Sequence, residues 1–185
     1  MAISAKAVAN TGTCVLAAKE AALAYERSLG ADCQRRRLPR RWRECDGVRR
    51  VVLTLLNEAG FDEVVLVCDA SERRHDLVEV VTQDASVNAK KRLTLVQSEG
   101  DSTELLVMTA ARLGSAFVSN SDLEEARALG DEAERAEVWA RQAAPCLQVR
   151  FSFQPGGQQI QLQVPRTLAR ARSQSKAVRT LVAAP

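Results

Sequence analysis

The chain has 185 residues, of which 46% are hydrophobic and 26% charged, and its formal net charge is +3. This length and balance predict one globular domain and exclude an intrinsically disordered chain, and the apolar runs are too short to span a membrane. Five cysteines without CxxC spacing and a single histidine argue against a structural zinc site and a secreted disulfide framework, so we expect a reducing, intracellular environment.

Strand and helix patterns alternate along most of the chain. Apolar residues recur at helical spacing from Val48 to Ala59, whereas a continuous apolar run from Val64 to Cys68 is typical of a buried strand. In chain order the patterns predict a strand over 5–10, a helix over 15–28, an Arg-rich loop over 34–50, a helix over 45–60, a strand over 61–69, a short helix over 76–83, a strand over 91–97, a helix over 101–113, a strand over 115–119 and an acidic helix over 121–142 ended by Pro145. This order predicts an α/β domain over residues 1–145, a three-layer α/β/α sandwich with a mainly parallel four-stranded sheet.

The end of the chain follows a different pattern. Apolar and polar residues alternate from Leu147 to Phe153 and again from Ile160 to Val164, and Pro155 to Gly157 supplies a turn. The pattern predicts a β-hairpin over 146–165, whose glutamine-rich polar face is typical of a sheet edge or a partner contact. Residues 166–185 are predicted to be a basic tail.

Positive charge is concentrated in two segments. Residues 34–50 contain eight arginines and two acids, and residues 165–185 contain four arginines, one lysine and no acid. Arginine favours bidentate contacts with phosphate, so we expect RNA, structured or ribosomal, or an acidic protein surface as the partner. The residues predicted to contact RNA are Arg35, Arg36, Arg37, Arg40, Arg41, Trp42, Arg43, Arg166, Arg170, Arg172, Lys176 and Arg179.

Polar side chains follow each predicted strand. The carboxyl ends of parallel strands meet at one edge of an open α/β sheet, where carboxylates can hold a hydrated divalent cation for nucleic-acid hydrolysis. The candidate metal ligands are Asn10, Asp69, Asp101 and Asp122, and the candidate catalytic residues are Asp101, Glu104 and Asp122. A structural interpretation stays open for each of them, since Asp101 and Glu104 suit a helix cap and capping box. Asn120 has a structural interpretation too, as a hydrogen-bonding group across this edge.

These segments resemble the NYN branch of the PIN-like ribonucleases, and most closely the catalytic domain of CCCH-zinc-finger ribonucleases. The resemblance covers roughly residues 5–142. Its best parts are the helix-then-strand segment 48–69, the acidic helix start Asp101–Val107, and Phe117–Asp122, which is similar to the family's VVSND strand end. The resemblance implies a nuclease fold that would use Mg²⁺ or Mn²⁺ if it is catalytic.

The chain departs from the family pattern at the acidic positions. The family's first strand ends in I/V-D-G-S/T-N, and the similar stretch here, residues 9–13, has Asn10 in place of the Asp and Thr13 in place of the Asn. Ser102 follows Asp101 where the family has a second Asp, and Ser121 replaces the Asp after Ser-Asn, which leaves Asp122 as the nearest acid. The resemblance therefore implies a degenerate metal site.

The functional prediction is a non-catalytic PIN/NYN-like component or assembly factor of a ribonucleoprotein particle, without a cofactor, that contacts RNA and proteins and no membrane. Two alternatives remain open: an active metal-dependent endoribonuclease and a purely protein-binding scaffold. A mitochondrial location fits an Arg-rich component of such a particle, and the cytoplasm and nucleus are the alternatives.

Overall fold

Strands and helices alternate through the part of the chain that the computed structural model describes, residues 10–30, 40–69, 92–98, 102–120 and 131–173. The strands are β1 (Asn10–Ala17), β2 (Glu63–Asp69), β3 (Arg92–Ser98), β4 (Ser115–Val118), β5 (Gln148–Phe153) and β6 (Ile160–Gln163). The helices are α1 (Ala18–Leu29), α2 (Arg40–Asn57), α3 (Ser102–Leu113), α4 (Asp131–Leu147) and α5, residues 166–173. The predicted α/β class is confirmed.

All six strands belong to one mixed sheet in the order β3-β2-β1-β4-β5-β6. Neighbours are parallel from β3 to β5, and β6 is antiparallel to β5. The sheet therefore has two strands more than the predicted four, because the predicted hairpin forms β5 and β6 of the same sheet. The hairpin extends the sheet because Val149 and Phe151 are buried and continue the core beyond β4.

The first strand lies further along the chain than predicted. A strand over 5–10 and a helix over 15–28 are expected, but β1 runs from Asn10 to Ala17, and residues 5–9 lie outside the described part. Cys14, Val15 and Leu16 are fully buried between β2 and β4. This burial outweighs the helix propensity of the Ala- and Leu-rich segment.

Three other boundaries differ from the prediction. α2 begins at Arg40, so the predicted Arg-rich loop is helical from that residue, as the good helix propensity of arginine permits. α4 continues past Pro145 to Leu147, so the predicted end at Pro145 is wrong; the burial of Leu147 offsets the one backbone hydrogen bond that the proline removes. The predicted tail is helical over residues 166–173. The predicted helix over 76–83 and residues 121–130 of the acidic helix lie outside the described residues.

Two pairs of helices cover the sheet. α1 packs against α2, and α3 packs against α4. The strand order runs outward in one direction from β1 to β3 and in the other from β4 to β6. Right-handed crossovers therefore place the two helix pairs on opposite faces, and the reversal between β1 and β4 is a topological switch point of a doubly wound sheet.

Candidate functional site

The carboxyl ends of β1 and β4 meet at the switch point, where ligands of open α/β sheets generally bind. β1 ends at Ala17 and α1 begins at Ala18, and both alanines are buried. The end of β1 therefore supplies no polar side chain. The nearest ones are Lys19, which is exposed, and Glu20, both in the first turn of α1.

A hydrogen-bond chain joins α1, β4 and β5 at this point. The backbone N–H of Asn120 donates to Oε1 of Glu20. Oδ1 of Asn120 accepts a hydrogen bond of 2.9 Å from the backbone N–H of Phe151. Asn120 thus links β4 to β5, which agrees with its structural interpretation. Glu20 is missed by the sequence analysis because its signal, a carboxylate just after a strand, depends on knowing that β1 ends at Ala17.

Two more polar residues fasten β5 to β4. Nε2 of Gln148 donates to the carbonyl oxygen of Ser119 at 3.0 Å, and the N–H of Ser119 donates to the carbonyl oxygen of Val149 at 3.1 Å. Gln148 and Ser119 are both buried, so each needs such partners. The Ser-Asn segment that resembles the family's strand end therefore has an evident structural role here.

The structure does not bring the predicted metal ligands to one edge. Asn10 begins β1 and pairs with Ser115, the first residue of β4, so it lies at the amino edge of the sheet. Asp69 ends β2 opposite Ser98, at the carboxyl edge. A strand of eight residues has a length of about 25 Å. The prediction that Asn10 lies beside Asp69 is wrong, because β1 runs from Asn10 to Ala17 and not over residues 5–10.

Of the predicted catalytic residues, Glu104 lies in the first turn of α3. α3 connects the carboxyl end of β3 to the amino end of β4, so this turn is at the carboxyl edge. Asp101 and Asp122 lie outside the described residues. Within the described ranges no group of three or more His, Cys, Asp or Glu side chains is placed to hold a metal ion. The described donors alone thus do not form the metal site that the resemblance implies.

The arginines of α5 divide into two kinds. Arg166 and Arg170 are exposed and one helical turn apart, whereas Leu168 is 1% exposed. The guanidinium of Arg172 lies 3.9 Å from the centroid of the Phe61 ring and donates to the carbonyl oxygen of Ala59. Arg172, predicted to contact RNA, is therefore used inside the fold, while Arg166 and Arg170 remain on the surface.

Burial affects Arg172 on the inner face of α5 and Cys14 of β1. The pKa of the Arg172 guanidinium lies below its usual value, because burial disfavours its charge and outweighs the effects of Cys14 and Asp62. Burial raises the pKa of the Cys14 thiol well above its usual range, although the charge of Arg172 opposes this shift. The buried thiol is therefore unreactive, consistent with a core role.

The other basic segment contains the first turn of α2. Arg40, Arg41, Trp42 and Arg43 belong to that turn, and Arg35, Arg36 and Arg37 lie outside the described residues, as do Lys176 and Arg179. The 18 residues of α2 extend about 27 Å. Arg172 contacts Ala59 and Phe61 just beyond the other end of this helix. Arg172 therefore lies near the end of α2 that is opposite to Arg40–Arg43.

The last two arginines of residues 34–50 make internal ion pairs. Asp46 accepts from Arg49 at 3.3 Å, from Arg50 at 2.9 Å and from the hydroxyl of Tyr25 at 2.8 Å. Burial disfavours the charge of Asp46, but these hydrogen bonds and the two positive charges outweigh it and hold its pKa below the usual value. Part of the positive charge in this segment is therefore neutralised locally.

Comparison with known proteins gives no match: no family model, no curated protein and no solved structure is similar to this chain. The resemblance to PIN/NYN ribonucleases therefore stays a prediction. No helix in the described ranges has both the length and the apolar character needed to cross a membrane.

Proposed function

We propose that the chain is an RNA-binding component of a ribonucleoprotein particle, built on a PIN/NYN-like α/β/α domain with an incomplete nuclease site. The observation that carries this proposal is the arrangement of α5. Leu168 and Arg172 fix its inner face to the domain, and Arg166 and Arg170 project from its outer face. Two guanidinium groups held one turn apart on an anchored helix suit neighbouring phosphates of an RNA backbone.

The carboxyl edge supports binding over hydrolysis. β1 ends in the buried Ala17, and α1 begins with the buried Ala18. Glu20, the first carboxylate after β1 in the chain, accepts a hydrogen bond from the backbone of Asn120. A hydrated divalent cation is drawn to a site by negative charge, and catalysis by a metal-activated water depends on that cation. We therefore expect a carboxyl edge with less negative charge at the switch point to keep the fold but to bind the cation, and so to hydrolyse RNA, less well.

The direct test measures RNA affinity across a salt series. With a single-stranded RNA of about 30 nucleotides, we expect the double substitution Arg166→Gln and Arg170→Gln to weaken binding at least tenfold. The slope of log K against log salt should decrease by about 1.4, which corresponds to the loss of two phosphate contacts on a single strand. Arg27→Gln with Arg135→Gln is the matched control, because it removes the same charge from exposed residues of α1 and α4. Equal effects of the two pairs would contradict specific binding by α5.

A metal-dependent endoribonuclease is the second candidate, because Asp69 ends β2 and Glu104 lies in the first turn of α3 at the same edge. A cleavage assay on single-stranded RNA with Mg²⁺ or Mn²⁺ compares the wild type with Asp101→Ala. Cutting by the wild type alone would establish an enzyme. Asn10→Asp is expected to leave any cleavage unchanged, since Asn10 begins β1 at the amino edge. Absence of RNA affinity even at low salt would instead favour the third candidate, a protein-binding scaffold.

A further inference from the structure

Among the described strands, β6 is the last on one side of the sheet, and it has no charged side chains. Its residues and the next one, Val164, have the sequence IQLQV, in which Gln161 and Gln163 are exposed and the apolar residues are half-buried. Natural edge strands commonly carry a lysine, a proline or a bulge that prevents pairing with another strand. The absence of these features from residues 160–164 makes this strand a candidate for pairing.

The register of the hairpin determines which backbone groups of β6 point outward. Gln161 pairs with Ser152 and Gln163 with Arg150, and the N–H of Gln154 donates to the carbonyl of Gln159 in the same register. Antiparallel pairs alternate between hydrogen-bonded and non-hydrogen-bonded. The odd-numbered residues of β6 therefore bond to β5. Ile160, Leu162 and Val164 direct their N–H and C=O groups away from the sheet.

The outward groups are spaced to match a second copy of the same strand. With Leu162 at the centre of an antiparallel pair, Ile160 lies opposite Val164, and Gln161 lies opposite Gln163. Apolar side chains then meet apolar ones, and amides meet amides, on the same two faces as in the domain. We propose that two copies of this chain associate through β6, centred on Leu162, into one continuous sheet.

The charges and the path of the chain beside β6 are compatible with this pairing. The same register places Arg166, the first cation after β6 in the chain, opposite Gln158 of the other copy, so this cation meets a neutral amide. α5 follows β6 and brings Arg172 to Phe61 at the start of β2, on the far side of the sheet order. α5 therefore leads away from the outer side of β6.

A strand pair of this length buries little surface. Standard-size protein interfaces bury about 1,600 Å², more than five residues of one strand provide, so we expect weak association, on the order of micromolar or weaker. Sedimentation equilibrium of the full chain from ~1 to ~500 µM covers this range. A wild-type chain that stays monomeric throughout would overturn the proposal, including the case in which β6 instead accepts a strand of another protein.

Two double substitutions test the register. Gln161→Glu with Gln163→Glu places like charges opposite each other twice across the pair, and we expect a dissociation constant at least tenfold higher. Gln161→Lys with Gln163→Glu places opposite charges there, and we expect a value within about threefold of the wild type. Both variants put the same acid at 163 beside Arg150, so contacts within the chain are matched at that position. Equal effects of the two variants would overturn the pairing centred on Leu162.

Discussion

Arg172 shows that a basic residue in a basic segment can contribute to the packing of the fold. Its guanidinium stacks on Phe61 and donates to the carbonyl of Ala59. A partly desolvated cation–π contact and a charge-assisted hydrogen bond together contribute about 2 kcal/mol. Arg172→Ala should lower the free energy of unfolding by that amount in urea titrations. Arg172→Lys should recover only part of it, because an ammonium lacks the planar stacking surface.

The control for Arg172 is its exposed neighbour on the same helix. Arg170→Ala removes an arginine from α5 without removing a buried contact, and we expect a change within about 0.5 kcal/mol. Similar losses from the two substitutions would show that α5 is not anchored through Arg172. The same pair separates stability from RNA binding, since only Arg170 is proposed to contact phosphate.

Asp46 makes stability depend on pH in a defined direction. Its pKa in the folded protein lies below the unfolded value, because hydrogen bonds from Arg50 and Tyr25 and the charges of Arg50 and Arg49 outweigh burial. The carboxylate therefore stabilises the fold above the unfolded pKa of about 3.9, and this contribution is lost as the pH falls through the folded pKa. In denaturant titrations, the stability difference between the wild type and Asp46→Asn should stay constant from about pH 5 to 7 and decrease below about pH 4. A difference that grows on acidification would contradict this assignment.

At the scale of elements, the hairpin turn docks on α1. The N–H of Gly156 donates to the carbonyl of Ser28 at 2.9 Å, and a Cβ placed on Gly157 would overlap Cε2 of Tyr25. Both glycines have positive φ, 87° and 70° respectively. Alanine at either position costs about 1 kcal/mol in backbone strain, but only at Gly157 does it also collide with Tyr25.

The two glycines therefore form a matched pair of tests. We expect Gly157→Ala to lower the free energy of unfolding by about 3 kcal/mol and Gly156→Ala by about 1 kcal/mol, measured by chemical denaturation. The difference isolates the contact between the turn and α1, since nothing lies within 4 Å of a Cβ at Gly156. Equal losses of unfolding free energy would mean that the turn moves away from Tyr25 without destabilising the fold, so that the contact with Tyr25 is not specific.

Elements with one dominant signal are predicted well from the sequence. β2 is a continuous apolar run bounded by Gly60 and Asp69, and the hairpin combines strict alternation with a Pro-Gly-Gly turn. β1 is not predicted because its Ala- and Leu-rich residues have helix propensity, and only burial between two strands that are distant in the sequence makes them a strand. The start of α2 is not predicted because three of its first four residues are arginines, and such a basic run is typical of an exposed loop.

At the scale of the whole molecule, the error in β1 changes the candidate site. A strand displaced along the chain moves Asn10 from one edge of the sheet to the other and brings Glu20 to the switch point. The carboxyl-edge positions of Asp69 and Glu104 are predicted correctly, since the strands before them are recognisable from their own residues. The internal role of Arg172 could not be predicted, because it depends on packing against a residue 111 positions earlier, Phe61.

The separation of the two basic segments makes RNA binding depend on RNA length. The first turn of α2 is at one end of this helix, which extends about 27 Å, and Arg172 of α5 lies beyond its other end. We therefore expect a long RNA to engage both segments and a short one to engage a single segment. Simultaneous binding of two linked sites increases the affinity well beyond that of either site. We therefore expect the substitution set Arg40→Gln, Arg41→Gln and Arg43→Gln, and separately the set Arg166→Gln and Arg170→Gln, to weaken binding of an RNA of about 30 nucleotides at least tenfold each.

An RNA of about five nucleotides should respond differently to the same two sets of substitutions. Each set leaves the other segment intact, so binding of the short RNA should weaken by no more than about threefold, and only the combined variant should lose it. Fluorescence anisotropy at one fixed salt concentration measures the binding of both RNAs to the two single-set variants and to the combined variant. The wild type is the reference for each RNA. If a single set weakens the short and the long RNA equally, the two segments act as one continuous site, and the span of α2 does not separate them in the complex.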